Sequence, residues 1–133
     1  MNKLKIAAYI KISVATEKDQ DSTSIENQRK IIQEYIKSNF PESELTFFVD
    51  KGQYEDTFEQ RENYPLMKKH LIDGDFDILI FKDFSRFSRR TTKCLIELEN
   101  YKDLNIRVIS INDNIDYPSV NSWNDIQSRF LLG

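Results

Sequence analysis

Cysteine and histidine each occur once in the 133 residues, as Cys94 and His70. One cysteine forms no internal disulfide and builds no cysteine zinc site. One histidine excludes an HExxH zinc centre and leaves a single candidate for a Ser-His-Asp arrangement. Glycine appears only at positions 52, 74 and 133, which removes both the GxGxxG dinucleotide fingerprint and the Gly-rich phosphate loop. No apolar run approaches the ~20 residues of a membrane span. The opening Met1-Asn2-Lys3-Leu4-Lys5 leads into a short apolar stretch without a small-residue cleavage site, so the cytoplasm is the expected location. Nineteen basic residues against 22 acidic ones leave a formal charge of −3. A nucleic-acid role for such a chain requires a local basic cluster or a further module.

The 15.8 kDa of chain, 39% apolar and 31% charged, suits one globular domain and is too little for two. Leu4 to Ile12 (LKIAAYIKI) is mostly apolar and reads as a central first strand. Thr23-x-x-Glu26 has the form of a capping box. The helix it opens carries Ile25, Ile31, Ile32, Tyr35 and Ile36 on one face and ends at Asn39 and Pro41. Leu45 to Val49 is a second strand, and Asp50 to Gln60 reads as a polar surface loop. Tyr64, Met67, Leu71 and Ile72 define a second helix, with Pro65 tolerated in its first turn and Gly74 placed to stop it.

Asp77 to Lys82 is a third strand, followed by a charged segment and a helix with Cys94, Leu95, Leu98 and Tyr101. Ile106 to Ile111 is a fourth strand. This alternation predicts an α/β domain of three layers, a mainly parallel central sheet flanked by helices. The loops at Ser13, Asp50 to Arg61 and Asp83 to Lys93 leave the carboxyl ends of the strands, so they should share one rim. After Asn112 the pattern fades, and Trp123 to Leu132 reads as a helix that stops early, as in a shortened chain or truncated gene.

The rim carries the chemistry. Lys82 to Lys93 (KDFSRFSRRTTK) holds five basic residues against one acid. Arg86 and Arg89, three apart, point the same way in a helical turn. Planar guanidinium forks match the oxygens of a phosphodiester; the bland alternative is a solvated helix start. Ser13 is either a turn former or a nucleophile facing those arginines, whose positive charges would stabilise a developing phosphoryl oxyanion. Arg61 is either a third fork or an exposed helix residue. Asp50, Glu55, Asp56 and Glu59 could gather Mg²⁺ or stand solvated. His70 and Cys94 read as structural.

Four segments in order resemble the catalytic domain of the serine recombinases, the resolvase/invertase superfamily, over about residues 5 to 115. Tyr9-Ile10-Lys11-Ile12-Ser13 is similar to the family's Tyr-x-Arg-x-Ser nucleophile motif, and Ser24 to Gln28 to its Ser-x-x-x-Gln segment. Asp50-Lys51-Gly52 followed by Arg61 is similar to its Asp-x-Gly to Arg stretch. Lys82-Asp83-x-Ser85-Arg86-x-x-Arg89 resembles the element found in the large serine recombinases. The resemblance implies that Ser13 attacks a DNA phosphodiester, forming a 5′-phosphoserine link and a free 3′-OH with neither metal nor cofactor. It implies that Arg61, Arg86 and Arg89 clamp the scissile phosphate and that Gln28 helps organise the site. The implied partners are double-stranded DNA attachment sites of a mobile element and further copies of the chain, a dimer on DNA and a tetramer in synapsis.

Three departures stand against the family pattern. Lys11 replaces the motif arginine, keeping the charge and losing the bidentate fork. Gln53-Tyr54 stands where the family has Ser-Gly. Residues 1–133 are expected to correspond to the catalytic domain, with about 119–133 starting a further helix and without the family's long linking helix and C-terminal DNA-binding region. The fragment alone is therefore expected to hold DNA weakly. Two other readings stay open: a non-catalytic DNA-binding or interaction module, in which Lys11 marks weakened chemistry, and a Mg²⁺-dependent phosphotransfer or nuclease domain.

Overall fold

A computed structural model of the chain describes residues 3–13, 24–52, 58–88 and 90–132. Five strands form one sheet: β1 (Lys5–Ser13), β2 (Glu44–Gly52), β3 (Ile78–Phe81), β4 (Arg107–Ser110) and β5 (Ile115–Tyr117). Their spatial order is β2-β1-β3-β4-β5. The first four are parallel and β5 runs antiparallel to β4. Helices α1 (Ile25–Asn39), α2 (Tyr64–Ile72), α3 (Thr91–Asp103) and α4 (Trp123–Leu132) complete the domain. The expected three-layer α/β architecture is the observed one.

Strand β1 lies between β2 and β3 and is apolar on both faces because both are covered. Ile6, Ala8 and Ile10 pack with Ile32 and Ile36 of α1. Ala7 and Tyr9 pack on the opposite face with Met67 and Leu71 of α2 and Leu98 and Tyr101 of α3. Ile126 of α4 joins that second core. Helix α2 closes where Gly74 takes φ +83°. There the Gly74 and Asp75 amides donate to the carbonyls of Leu71 and His70 at 3.2 and 2.9 Å, a left-handed helix stop that glycine adopts without strain.

The structure corrects three local expectations. The cap of α1 is Ser24, whose hydroxyl accepts the Asn27 amide at 3.1 Å; Thr23 lies outside the described residues. The stretch from Asp50 is not wholly a surface loop. Strand β2 continues to Gly52 with Asp50 buried, and a 3-10 turn, Phe58–Gln60, precedes α2. The third difference is β5, which the fading pattern after Asn112 did not announce. It has three residues and is tied back by Arg107, whose Nε and Nη2 donate to Asp116 at 2.9 and 2.8 Å.

Helices α2 and α3 share a buried polar network. Glu97 accepts from the Tyr64 hydroxyl and, at 2.9 Å, from Lys68 Nζ. Because Tyr64 spends its proton on the carboxylate, the 2.6 Å contact with Tyr101 is donated by the Tyr101 hydroxyl. Burial, above all, pushes the phenols of Tyr9, Tyr64 and Tyr101 and the thiol of Cys94 upward. Below about pH 7.5 all four stay protonated folded and unfolded, so they add no pH dependence. Above it the unfolded chain releases protons that the folded chain retains, Cys94 first and the tyrosines from about pH 10. Each group past its unfolded pKa removes about 1.4 kcal/mol of stability per pH unit. Urea unfolding followed from about pH 8 to 11 should therefore show a steep alkaline loss. A flat profile would contradict the burial of these groups.

Candidate active site

The carboxyl end of β1 is the centre of the rim. Lys11 is in register with Asp50 of β2, and Ser13 with Gly52. The backbone of Ser13 thus ends the strand at the edge where the β2 and β3 loops depart. Its side chain lies outside the described residues, as does all of Arg89.

Two candidate side chains converge on one backbone atom two residues before Ser13. The Lys11 carbonyl accepts Gln28 Nε2 at 3.2 Å and Arg86 Nη1 at 3.1 Å. Gln28 is fully buried on the inner face of α1. Arg86 closes a 3-10 turn, Phe84–Arg86, that follows β3 and is capped by Asp83. That carboxylate accepts the Ser85 amide at 3.0 Å and the Ser85 hydroxyl, and pairs with Arg86 Nε at 3.5 Å. Arg86 Nη2 also donates to the Ser85 hydroxyl at 3.0 Å. The Lys11 side chain is buried and donates to the Ile12 carbonyl at 3.4 Å. Burial lowers the pKa of neighbouring Lys82, against the opposing pull of Asp83.

Arg61 meets β1 further back, at Tyr9. Of the two readings open to it, exposure is ruled out: it is 6% exposed. Its Nη1 donates to the Tyr9 hydroxyl at 3.5 Å, and its guanidinium lies 4.7 Å from the Phe58 ring centroid. The rings of Tyr9 and Tyr64 stand 5.9 Å away. An aromatic cage of this kind holds a cation through the ring quadrupoles and limits its hydration.

Asp50 is the structural residue that sequence reasoning undervalued. Its Oδ2 accepts the Tyr9 hydroxyl at 2.7 Å and the Tyr64 amide at 2.9 Å, and its Oδ1 accepts the Asn63 amide at 2.8 Å. The carboxylate therefore joins β1 to the first turn of α2, where backbone amides and the helix dipole favour negative charge. With both oxygens engaged, Asp50 has little to offer a cation. Glu55 and Asp56 lie outside the described residues, and no cluster of three metal-ligating side chains occurs among those described. The signal that could have found this role is the position of Asp50 in a strand's last residues, opposite Lys11.

The chain also matches a known family. Residues 6–128 match the model described as Resolvase, N terminal domain. The chain belongs to the resolvase family. Solved structures agree in fold. The N-terminal catalytic domain of TP901-1 integrase superposes with a TM-score of 0.79 at 18% identity, covering 96% of this chain and 92% of that one. A resolvase family site-specific recombinase from Streptococcus pneumoniae gives 0.69 at 18% identity, over 98% and 85%. A serine recombinase from Sulfolobus solfataricus gives 0.60 at 20% identity, over 83% and 69%. No curated protein sequence gave a significant match. As a resolvase-family domain, the chain is a site-specific recombinase catalytic domain, a DNA strand-transfer enzyme. No described helix is long and apolar enough to cross a membrane.

Proposed function

We propose that Ser13 is the nucleophile of this recombinase and that Arg61, Arg86 and Arg89 stabilise the phosphate it attacks. The Ser13 oxygen bonds to phosphorus while the bond from phosphorus to the 3′ oxygen breaks. The serine proton passes to solvent, and the departing 3′ oxygen takes up a proton to become a hydroxyl. One phosphodiester is exchanged for another, so the bond energy stays in the phosphoserine link and the reverse attack reseals the strand. The observation that carries this reading is the Lys11 carbonyl, to which Gln28 and Arg86 both donate beside the end of the strand that holds Ser13.

Fixed guanidinium charges at a partly dry rim meet the electrostatic requirement of phosphoryl transfer without a metal. Lys11 supplies charge there without the fork of an arginine. The family implies DNA binding and oligomerisation; a dimer on each site and a tetramer joining two sites are the assemblies proposed here. The experiment is to mix the full-length protein with attachment-site duplex, quench in denaturant and digest. A 5′-phosphorylated DNA end joined to the Ser13 peptide, formed equally well in EDTA, is the expected product. Cleavage that requires Mg²⁺ and leaves free 5′ ends would overturn the proposal.

A further inference from the structure

Asp113 lies in the turn between β4 and β5, with its side chain 6% exposed. Its Oδ2 accepts the Phe84 amide at 2.8 Å and the Ser110 hydroxyl at 2.6 Å. Its Oδ1 accepts Nη2 of Arg129, on α4, at 2.6 Å. Phe84 is the first residue of the 3-10 turn that ends at Arg86, and its ring stacks 4.8 Å from Phe130 of α4. A cavity of about 470 Å³, lined by Asp83, Ser85, Ser88, Asn112 and Arg129 among others, opens on this side of the turn. Phe84 packs into the core on one side of the turn; on this open side the hydrogen bonds to Asp113 hold it.

We propose that Asp113 is a positioning residue for Arg86 and that α4 reinforces it through Arg129. The turn is short and internally tied: the Arg86 amide donates to the Asp83 carbonyl at 3.1 Å and the Phe87 amide to the Phe84 carbonyl at 3.0 Å. A shift of the Phe84 amide is therefore passed to the guanidinium two residues on, which is itself held to the Lys11 carbonyl. Asp113 touches no substrate in this scheme. The inference rests on the reading of Arg86 as a phosphate ligand, and it adds that displacement of α4 reaches the cleavage site through one buried carboxylate.

The test pairs amide hydrogen exchange of the free chain with the rate of covalent DNA attachment at saturating duplex. Asp113→Ala should unprotect the Phe84 amide and slow attachment about tenfold or more, with DNA affinity unchanged. Asp113→Asn keeps an acceptor oxygen for Phe84 and should restore most of the rate. In an Arg86→Ala background, Asp113→Ala should add less than about a twofold further loss, because the two act as a unit. Arg129→Glu, a half-exposed site that leaves the core intact, should weaken the same protection if Asp113→Ala fails to fold. Full additivity with Arg86→Ala, or wild-type rates in both Asp113→Ala and Arg129→Glu, would overturn the proposal alone. No adduct from the wild-type protein would instead remove the recombinase chemistry, and this proposal with it.

Discussion

Ser13→Ala should form no covalent DNA adduct at all, and Arg86→Ala should form it about 10²–10³-fold more slowly. The two effects differ in kind. Removing the hydroxyl removes the atom that bonds to phosphorus, and no neighbouring group replaces it. Removing the guanidinium takes away one donor to the phosphoryl oxygens and also the Nη1 bond that ties the β3 loop to the Lys11 carbonyl. Arg86→Lys should recover little, because one ammonium does not bond Lys11, Ser85 and a phosphate oxygen from a planar fork. Single-turnover attachment on duplex DNA, with binding measured separately, checks both variants. An adduct persisting in Ser13→Ala would disprove the assignment of the nucleophile.

Asp50→Ala is expected to destabilise the fold by about 4 kcal/mol, among the largest effects of any single substitution in this chain. The carboxylate accepts three donors, the Tyr9 hydroxyl and the Asn63 and Tyr64 amides, and is itself buried. Alanine leaves those donors without their acceptor and uncaps the first turn of α2. Asn63 also donates to the Val49 carbonyl at 2.7 Å, so the β2–α2 junction keeps one tie. Asp50→Asn should cost about half as much, since an amide presents one oxygen and turns a donor toward a donor. The urea midpoint, at unchanged slope, measures the difference. Because Arg61 hangs on the same Tyr9 hydroxyl, the Asn variant should also slow DNA attachment more than its stability loss explains.

Much of the architecture is written in local pattern. The apolar run of β1 announces a strand covered on both sides, and the spacing of Ile32 and Ile36 announces the face of α1 that covers it. Gly74 marks the end of α2, and the cluster around Arg86 marks the basic rim. These features are legible because periodicity of 2 or 3.6 and a positive φ are properties of adjacent residues. The displaced cap of α1 shows the limit: Thr23 and Ser24 are both able caps, and only the start of the helix at Ile25 chooses between them.

The rest was decided by contacts that no local window contains. Tyr9 meets Asp50 across 41 positions of chain, Arg61 meets Tyr9 across 52, and Arg86 meets Lys11 across 75. Amphipathic spacing says which face of an element is apolar and is silent about the element it packs against, so the choice between burial and exposure at Arg61 and Asp50 stays open until the fold encloses them. Strand β5 escapes for the same reason: it has three residues, and its place depends on the Arg107–Asp116 pair as much as on its own side chains. The sequence alone determined the strand–helix alternation and the residue types available at the rim. The tertiary structure decided which of them meet, because burying a charge or a backbone donor is tolerable only where a distant partner arrives to satisfy it.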